Sequence, residues 1–289
     1  MKLIAFGEVI WDRYESGDVI GGAPFNFCGH AAHFGDEAYI LSAVGKDSLG
    51  DRAIEAAKKF GIRTDLLQRN DNETGACLVT LDENKVPNYN VLTGTAYDRI
   101  VADGEVIGKI NALHADVFYF GTLIQRDPVS RTALRNILAN CTFPEIFCDI
   151  NIRKNCFDRE SLELCLSKAT IIKISDEEAH YIYDLGILPA DGEGIDLLPA
   201  KLAGKYPNLK IIIFTLGAKG SVLYDAKEGK TIPSPKPADV KVVSTVGAGD
   251  SFGASFLHHY MAGESFDKCL CEATATSDFV VAHKDAIPY

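Results

Sequence analysis

The sequence predicts an α/β fold with a mostly parallel central sheet covered by helices on both faces. The main observation is that strand-like and helix-like segments alternate after an irregular first third of the chain. The length of 289 residues also suits one such domain with a large core. Strands separated by helices return to the sheet in parallel, so we expect ligands beyond their carboxyl ends. The strand-like runs cover residues 38–44, 145–150, 170–174 and 210–216.

Helix-like runs follow these strands at residues 48–60, 128–139, 158–168 and 195–206. Residues 1–8 contain too short an apolar run for a signal peptide and are typical of a first strand. The small, apolar run 27–34 is helix-like and stops at Gly35. Near the C-terminus, the β-branched run 239–244 favours another strand, and residues 251–260 favour a helix.

Two segments interrupt this alternation and predict a small second sheet. Residues 74–81 and 85–93 are rich in strand formers and are joined by the turn-like Asp82-Glu83-Asn84, which predicts a hairpin. Residues 11–20 would complete the sheet. We therefore expect a single domain over residues 1–289 with a small β sheet contributed by about 11–20 and 74–95, although an ordinary surface hairpin would have the same pattern.

Charge and composition exclude several classes of protein. The chain has 29 Lys and Arg against 40 Asp and Glu, a net charge of −11, which argues against nucleic acid or an anionic membrane as partner. No stretch approaches a membrane span, and the chain has no export signal, so we expect a cytoplasmic protein. The eight cysteines contain no Cys-x-x-Cys pair and are interpreted as reduced thiols.

The segment Thr245-Val246-Gly247-Ala248-Gly249-Asp250 combines a glycine loop, a carboxylate and a predicted helix start. The amides of Gly247, Ala248 and Gly249 would lie at the positive end of that helix, where anions bind. An aspartate in a first helical turn is also favoured by capping alone. The loop lacks the lysine of a Walker motif, and its glycine spacing misses the dinucleotide fingerprint.

A second glycine cluster, Gly21-Gly22-Ala23-Pro24-Phe25-Asn26, lies near the N-terminus. Together, the two clusters resemble the paired signatures of the ribokinase-like (PfkB) carbohydrate kinases, Gly-Gly-x-x-x-Asn and Thr-x-Gly-Ala-Gly-Asp. The resemblance covers essentially the whole chain. It implies a ribokinase-like three-layer α/β fold whose small sheet is a lid over the sugar, and this lid would exclude water from the reaction.

The resemblance also assigns residues to the transfer of a phosphoryl group from MgATP to a sugar hydroxyl. Asp250 would be the catalytic base, and the amides of Gly247, Ala248 and Gly249 would stabilise the transferring group. The implied sugar-binding residues, including two from the motif Asp149-x-Asn151-x-Arg153, are Asp12, Gly22, Asn26, Asn151 and Arg153. Asp12 could instead be a turn residue.

Further matches imply a nucleotide site. The segment from Lys173 to Glu178 resembles the family's Asn-x-x-Glu motif with Ser175 in place of asparagine, and Glu178 would act on magnesium through a bound water. Ser175 and Glu178 also fit a helix capping box, which is a structural alternative. The remaining implied contacts are Thr215, Gly217 and Gly220 to phosphate and ribose, and Thr274 beside the adenine.

Within the family, the segments that begin at Gly7, Gly21, Phe120 and Asp149 resemble those of fructokinase-like enzymes. We therefore expect an ATP-dependent fructokinase that makes fructose 6-phosphate. The segments predicted to hold the sugar contain few cationic residues, which favours an unphosphorylated acceptor. Folding could still place Arg126 and Arg153 beside the sugar. Kinases of ribose, 2-keto-3-deoxygluconate or a nucleoside remain alternatives, as does a non-catalytic sugar- or nucleotide-binding regulator.

Three further expectations concern assembly, ions and a histidine. Related kinases often dimerise through their lids, so we expect a homodimer. Many relatives carry Asp-Thr before the glycine loop, and that aspartate helps to bind a monovalent cation. This chain has Ser244-Thr245 at that position. It also has Asp285-Ala286 where Gly-Ala is usual. Potassium activation should therefore be weak or absent. His30 lies one turn beyond Asn26 and could face the sugar or pack in the core.

Overall fold

Strands and helices alternate along the chain, and their order confirms the predicted fold class. The computed structural model describes residues 1–81, 87–189 and 194–289. The strands are β1 Lys2–Phe6, β2 Ile10–Tyr14, β3 Gly17–Gly21, β4 Glu37–Leu41, β5 Ala43–Gly45, β6 Gln68–Asn70, β7 Gly75–Leu81, β8 Pro87–Val91, β9 Val117–Gly121, β10 Glu145–Asp149, β11 Ile171–Ser175, β12 Ile211–Thr215, β13 Ser221–Asp225 and β14 Lys230–Pro233. The helices are α1 Ala23–His33, α2 Ser48–Lys59, α3 Gly104–Leu113, α4 Pro128–Asn140, α5 Arg159–Lys168, α6 Asp176–Asp184, α7 Leu198–Lys205, α8 Ala248–Met261 and α9 Phe266–Val281.

The main sheet orders its strands β14-β13-β12-β11-β10-β9-β1-β4. The strands from β12 to β4 in this order are parallel, and β13 and β14 add an antiparallel edge. The central strands are apolar over nearly their whole length because helices cover both faces of the sheet. The carboxyl ends of β1, β9, β10, β11 and β12 consequently lie along one edge.

Alternate residues of each central strand pack into two separate cores. In β1, Leu3 and Ala5 join the core formed with α1, α2, α8 and α9, whereas Ile4 and Phe6 join the core formed with α3, α4, α5, α6 and α7. This alternation follows from the two-residue period of a strand. The molecule therefore has three layers, and α1 and α8 pack side by side on one of them.

The predicted small sheet is present and has the strand order β3-β2-β7-β8. Strands β2 and β3 form one antiparallel pair, β7 and β8 form another, and β2 pairs with β7 in parallel. The predicted turn Asp82-Glu83-Asn84 lies outside the described residues. The assignment of residues 1–289 to one domain with this sheet as a lid remains a prediction.

The predicted strand at residues 239–244 is wrong. This segment has no strand partner within the described ranges, and Val242 and Val243 are 59% and 54% exposed. The amides of Val243 and Ser244 instead donate to the carbonyl oxygen of Val281, 2.8 and 3.3 Å away, at the end of α9. The β-branched residues favour extended backbone, but the chain crosses a helix end there instead of joining the sheet.

Among the described residues, no helix has the length and apolar character that a membrane crossing would require.

Candidate active site

The carboxyl ends of the parallel strands bring polar residues to one edge of the main sheet. Glu8 follows β1, Asp149 is the last residue of β10, Ser175 ends β11 and Thr215 ends β12. Register pairs Asp149 with Lys173 and Ser175 with Thr215 on adjacent strands. These side chains therefore share one edge, as expected for a site in an open α/β sheet.

Helix α8 begins at this edge with a tight glycine turn. Its N-cap is Gly247, which has a φ of 82°, a left-handed conformation that favours glycine. The amide of Ala248 donates to the carbonyl oxygen of Thr245 at 3.2 Å. The amides of Gly247 and Gly249 have no hydrogen-bond partner within the described part of the chain. These two amides are consequently open to an anion at the positive end of the helix.

Asp250 lies in the first turn of α8, buried, and is held by Asn26 of α1. The Nδ2 of Asn26 donates to Oδ2 of Asp250 at 2.8 Å, although the two residues are 224 positions apart. Burial raises the pKa of Asp250 above its ordinary value, while the bond from Asn26 and the charges of Lys173 and Arg153 oppose this shift. Asp250 is thus a fixed carboxylate with increased basicity.

The predicted sugar-binding residues converge beside Asp250. Arg153 is exposed and donates through Nη1 to Oδ1 of Asn151 at 2.7 Å. Burial raises the pKa of Asp12 to about 6, and the charge of Arg153 counteracts that rise. Gly22 packs on the backbone of Glu8, where a Cβ on Gly22 would come within 2.5 Å of the Glu8 carbonyl oxygen. The Oδ1 atom of Asn26 is buried and has no hydrogen-bond partner in the described residues, so its capacity as an acceptor is unused there.

Two buried carboxylates at this site were given no role by the sequence analysis. Glu8 accepts a hydrogen bond from the amide of Ala23 at 3.0 Å, and burial raises its pKa to about 7. Burial also raises the pKa of Asp149 to about 6, against the lowering effect of Lys173. Their positions, two residues after β1 and at the end of β10, are the sequence signal that could have identified them.

Lys173 connects this acidic region to the glycine turn. Its Nζ donates to Oδ1 of Asp149 at 2.7 Å, and both side chains are buried. Burial alone would lower the pKa of Lys173, but the neighbouring carboxylates raise it, Asp149 most strongly. A Cβ on Gly249 would lie 3.3 Å from Nζ, so the ammonium group closely approaches the turn that carries the open amides. Because Asp149 pairs with this ammonium group, the turn meets a cation whose charge is largely compensated.

A cleft of about 290 Å³ lies on the other side of the glycine turn. It runs between β11, β12 and the helices α8 and α9, and Phe252 and Pro237 give it an apolar part. The predicted nucleotide-site residues that line it are Ser175, Thr215, Gly217, Gly220 and Thr274. Ala248 and Gly249 also line it, so the cleft borders the glycine turn.

Glu178 does not line this cleft, and its carboxylate holds the backbone. Its Oε2 accepts from the amide of Ser175 at 2.9 Å, as in a capping box, and its Oε1 accepts from the amide of Ile152 at 2.6 Å. The structure therefore contains the half of the capping box that Glu178 provides. That Glu178 acts on magnesium through a bound water remains a prediction. Each of its carboxylate oxygens still has a lone pair that could accept a hydrogen bond from such a water.

Comparisons with known proteins agree on one family. A profile of the pfkB family carbohydrate kinases matches residues 9–288. Probable fructokinase-5 of Arabidopsis thaliana is 26% identical over an alignment of 275 positions, which covers 88% of this chain and 81% of that protein. An ATP-dependent 6-phosphofructokinase of Thermoanaerobacterium thermosaccharolyticum is 27% identical, covering 96% of this chain and 82% of the relative.

A similar solved structure is that of a fructokinase with bound ATP from Xylella fastidiosa. Its TM-score is 0.84 at 18% identity, with 99% of this chain and 94% of that chain covered. This likeness confirms the ribokinase-like α/β fold. The two sequence relatives differ in the acceptor that their names give, so at these identities they leave the acceptor open.

Proposed function

The chain belongs to the pfkB family of carbohydrate kinases, and from this premise we propose that it transfers the γ-phosphoryl group of MgATP to a hydroxyl of D-fructose, forming fructose 6-phosphate. The observation that carries the proposal is the 2.8 Å contact of Asn26 with Asp250 beside the open amides of Gly247 and Gly249. A base and an anion-binding turn are thereby held together at the start of α8. Phosphoryl transfer needs little besides such positioning and charge stabilisation.

In the proposed reaction, the sugar hydroxyl gives its proton to Asp250 as its oxygen attacks the γ-phosphorus. The bond from that phosphorus to the bridging oxygen breaks, and ADP leaves. The amides of Gly247 and Gly249 stabilise the charge on the transferring group. Lys173 lies beside them as an ion pair with Asp149 and can donate a further hydrogen bond to a phosphate oxygen. Burial favours proton acceptance because it raises the pKa of Asp250.

The cleft between α8, α9 and β12 fits a nucleotide. Its apolar part, with Phe252 and Pro237, suits a base, and the part lined by Ala248 and Gly249 suits phosphates. Magnesium bound with the nucleotide would neutralise phosphate charge. Glu178 would hold a water of that ion through the free lone pairs of its carboxylate, while its backbone bonds keep it in place.

The charges around Asp250 favour an unphosphorylated acceptor. The groups next to the proposed sugar site are the carboxyls of Glu8 and Asp12, and Arg153 is the cation that acts on both. The other candidate, Arg126, forms a buried ion pair with Asp98 at 2.8 Å, and its charge is thus compensated. Carboxyls and the free Oδ1 of Asn26 suit hydroxyl groups, whereas a sugar phosphate would find one cation, Arg153, among several carboxyls.

A panel assay tests the substrate proposal. ADP release would be measured with MgATP and fructose, ribose, 2-keto-3-deoxygluconate, a nucleoside and fructose 6-phosphate. We expect the highest kcat/KM with fructose and little turnover of fructose 6-phosphate. A clear preference for another acceptor would overturn the assignment of fructose, and binding without turnover of any acceptor would indicate a regulator.

Replacement of the proposed base tests the chemistry. Asp250→Asn keeps a polar group of the same size but cannot accept the proton, so kcat should fall by about a hundred- to ten-thousand-fold while ATP and sugar still bind. Asp267→Asn is the matched control because Asp267 lies, exposed, in the first turn of α9. Near-normal turnover of Asp250→Asn, or an equal loss in the control, would remove Asp250 from the mechanism.

A further inference from the structure

The C-terminal segment, residues 283–289, packs along α1 through contacts that the proposed chemistry does not explain. Gly29 leaves room for Ile287, since a Cβ on Gly29 would lie 2.5 Å from the Cδ1 atom of Ile287. One turn later, the ring of His33 stacks on Tyr289 with centroids 3.5 Å apart and planes 3° from parallel. The segment is therefore docked on a defined face of α1.

His30 holds this segment by two hydrogen bonds, one to Ala286 and one to Tyr289. Its Nε2 lies 2.8 Å from the carbonyl oxygen of Ala286, and its Nδ1 lies 3.3 Å from the hydroxyl of Tyr289. A carbonyl oxygen only accepts, so Nε2 carries the hydrogen, and Nδ1 accepts from the tyrosine. Burial lowers the pKa of His30 to about 4, which keeps the ring neutral in this tautomer at neutral pH. His30 thus packs in the core and does not face the proposed sugar site.

Ala286 in turn contacts the glycine turn at the start of α8. A Cβ on Gly247 would lie 2.7 Å from the Cβ of Ala286 and 2.9 Å from its carbonyl oxygen. The same carbonyl is the group that His30 holds. Asn26, one turn before His30 on α1, binds Asp250 directly. Helix α1 consequently holds the turn at both ends, at Asp250 through Asn26 and at Gly247 through His30 and Ala286.

We propose that His30 is a positioning residue for phosphoryl transfer, whose Nε2–H sets the Gly247 turn through the carbonyl of Ala286. The proposal rests on the proposed function, because it concerns the amides of Gly247 and Gly249 relative to Asp250. His30 itself bonds to Ala286 and Tyr289 and does not line the cleft proposed for the nucleotide. Loss of the His30 side chain should disturb the alignment of the turn amides with Asp250 in the transition state. Displacement of reacting groups by about an ångström can lower the rate about a hundredfold. The expected effect is on kcat more than on the KM for sugar.

Two substitutions of His30 separate the hydrogen bond from packing. His30→Leu fills the space but cannot donate, whereas the amide nitrogen of His30→Gln can reach the carbonyl of Ala286. For His30→Leu we expect kcat to fall about tenfold or more with a sugar KM near that of the wild type. His30→Gln should recover most of that loss. In the same proteins, hydrogen–deuterium exchange of the two hydrogen-bonded amides of the turn, those of Ala248 and Ser251, should be faster only in His30→Leu.

The exchange measurement keeps this proposal separate from the proposed function. A wild-type protein that phosphorylates no sugar would defeat the proposed function, while the exchange comparison would still test the contact. Equal kcat and exchange in wild type and His30→Leu would overturn the proposal, as would equal defects in His30→Leu and His30→Gln. If His30→Leu does not fold, His30→Met removes the donor with a more flexible apolar side chain, and unchanged exchange and kcat in that variant would also overturn the proposal.

Discussion

At the residue scale, burial of carboxylates at the sheet edge links stability to pH. Glu8 has a pKa of about 7 in the fold against an ordinary 4.5, so it stabilises the fold fully below about pH 4.5 and loses this contribution as pH rises through 7. The difference corresponds to about 3 kcal/mol as an upper value. Glu8→Gln cannot ionise, and its amide oxygen can still accept from Ala23. We therefore expect Glu8→Gln to be more stable than the wild type at pH 8 and similar to it at pH 4.5.

Urea unfolding of both proteins at the two pH values measures this effect. Glu55→Gln is the control because Glu55 is 73% exposed on α2. A stability difference that is the same at both pH values, or that the control shares, would show that the charge of Glu8 is not the cause.

Some features of individual site residues could be predicted from the sequence, and others could not. The glycine loop and Asp250 follow from local spacing, and the structure places them at a helix start as expected. The partner of Asp250 is 224 positions away, and a single sequence links it to Asn26 only through the family resemblance. The burial that raises the pKa of Glu8 and the ion pair of Lys173 with Asp149 depend on tertiary packing, which local pattern does not contain.

At the element scale, long periodic segments were predicted best. Helices α2 and α4 agree with the predictions to within one residue at each end, because capping aspartates and apolar periodicity define them locally. The predicted strand 38–44 is divided into β4 and β5, since β5 leaves the main sheet to pair with β6. Hydrogen bonding with a strand that is distant in sequence thus decides where a strand begins and ends. Residues 239–244, which have no such partner among the described residues, do not form a strand at all.

The segment before α8 contains Ser244, the residue on which the predicted lack of potassium activation depends. Ser244 accepts a hydrogen bond from the amide of Val246 at 3.2 Å, so its hydroxyl stabilises a local turn, and a hydroxyl is a weaker ligand for a hard cation than a carboxylate. We expect added potassium chloride, at ionic strength matched with a tetramethylammonium salt, to change turnover little. Ser244→Asp should increase the response. A tenfold or greater rise in the wild type would contradict the prediction.

At the scale of the whole molecule, both ends of the chain build one site. Helix α1 supplies Asn26 from the first tenth of the sequence, and α8 supplies Asp250 from the last fifth. The C-terminal segment then returns to α1. Because contacts so distant in sequence join the site, we infer that its geometry forms only when the main sheet is complete.

The small sheet determines the expected assembly. Its outer strands, β3 and β8, have no further strand partner among the described residues, and open edges are commonly covered by a second chain. We expect a homodimer through these edges, measured by light scattering at micromolar concentration as twice the chain mass. Val19→Lys, on β3, should weaken the dimer because a charge on an edge opposes pairing, whereas Thr231→Lys, on the edge strand β14 of the main sheet, should not. A fully active monomeric wild type, or equal dissociation of both variants, would count against assembly through the small sheet.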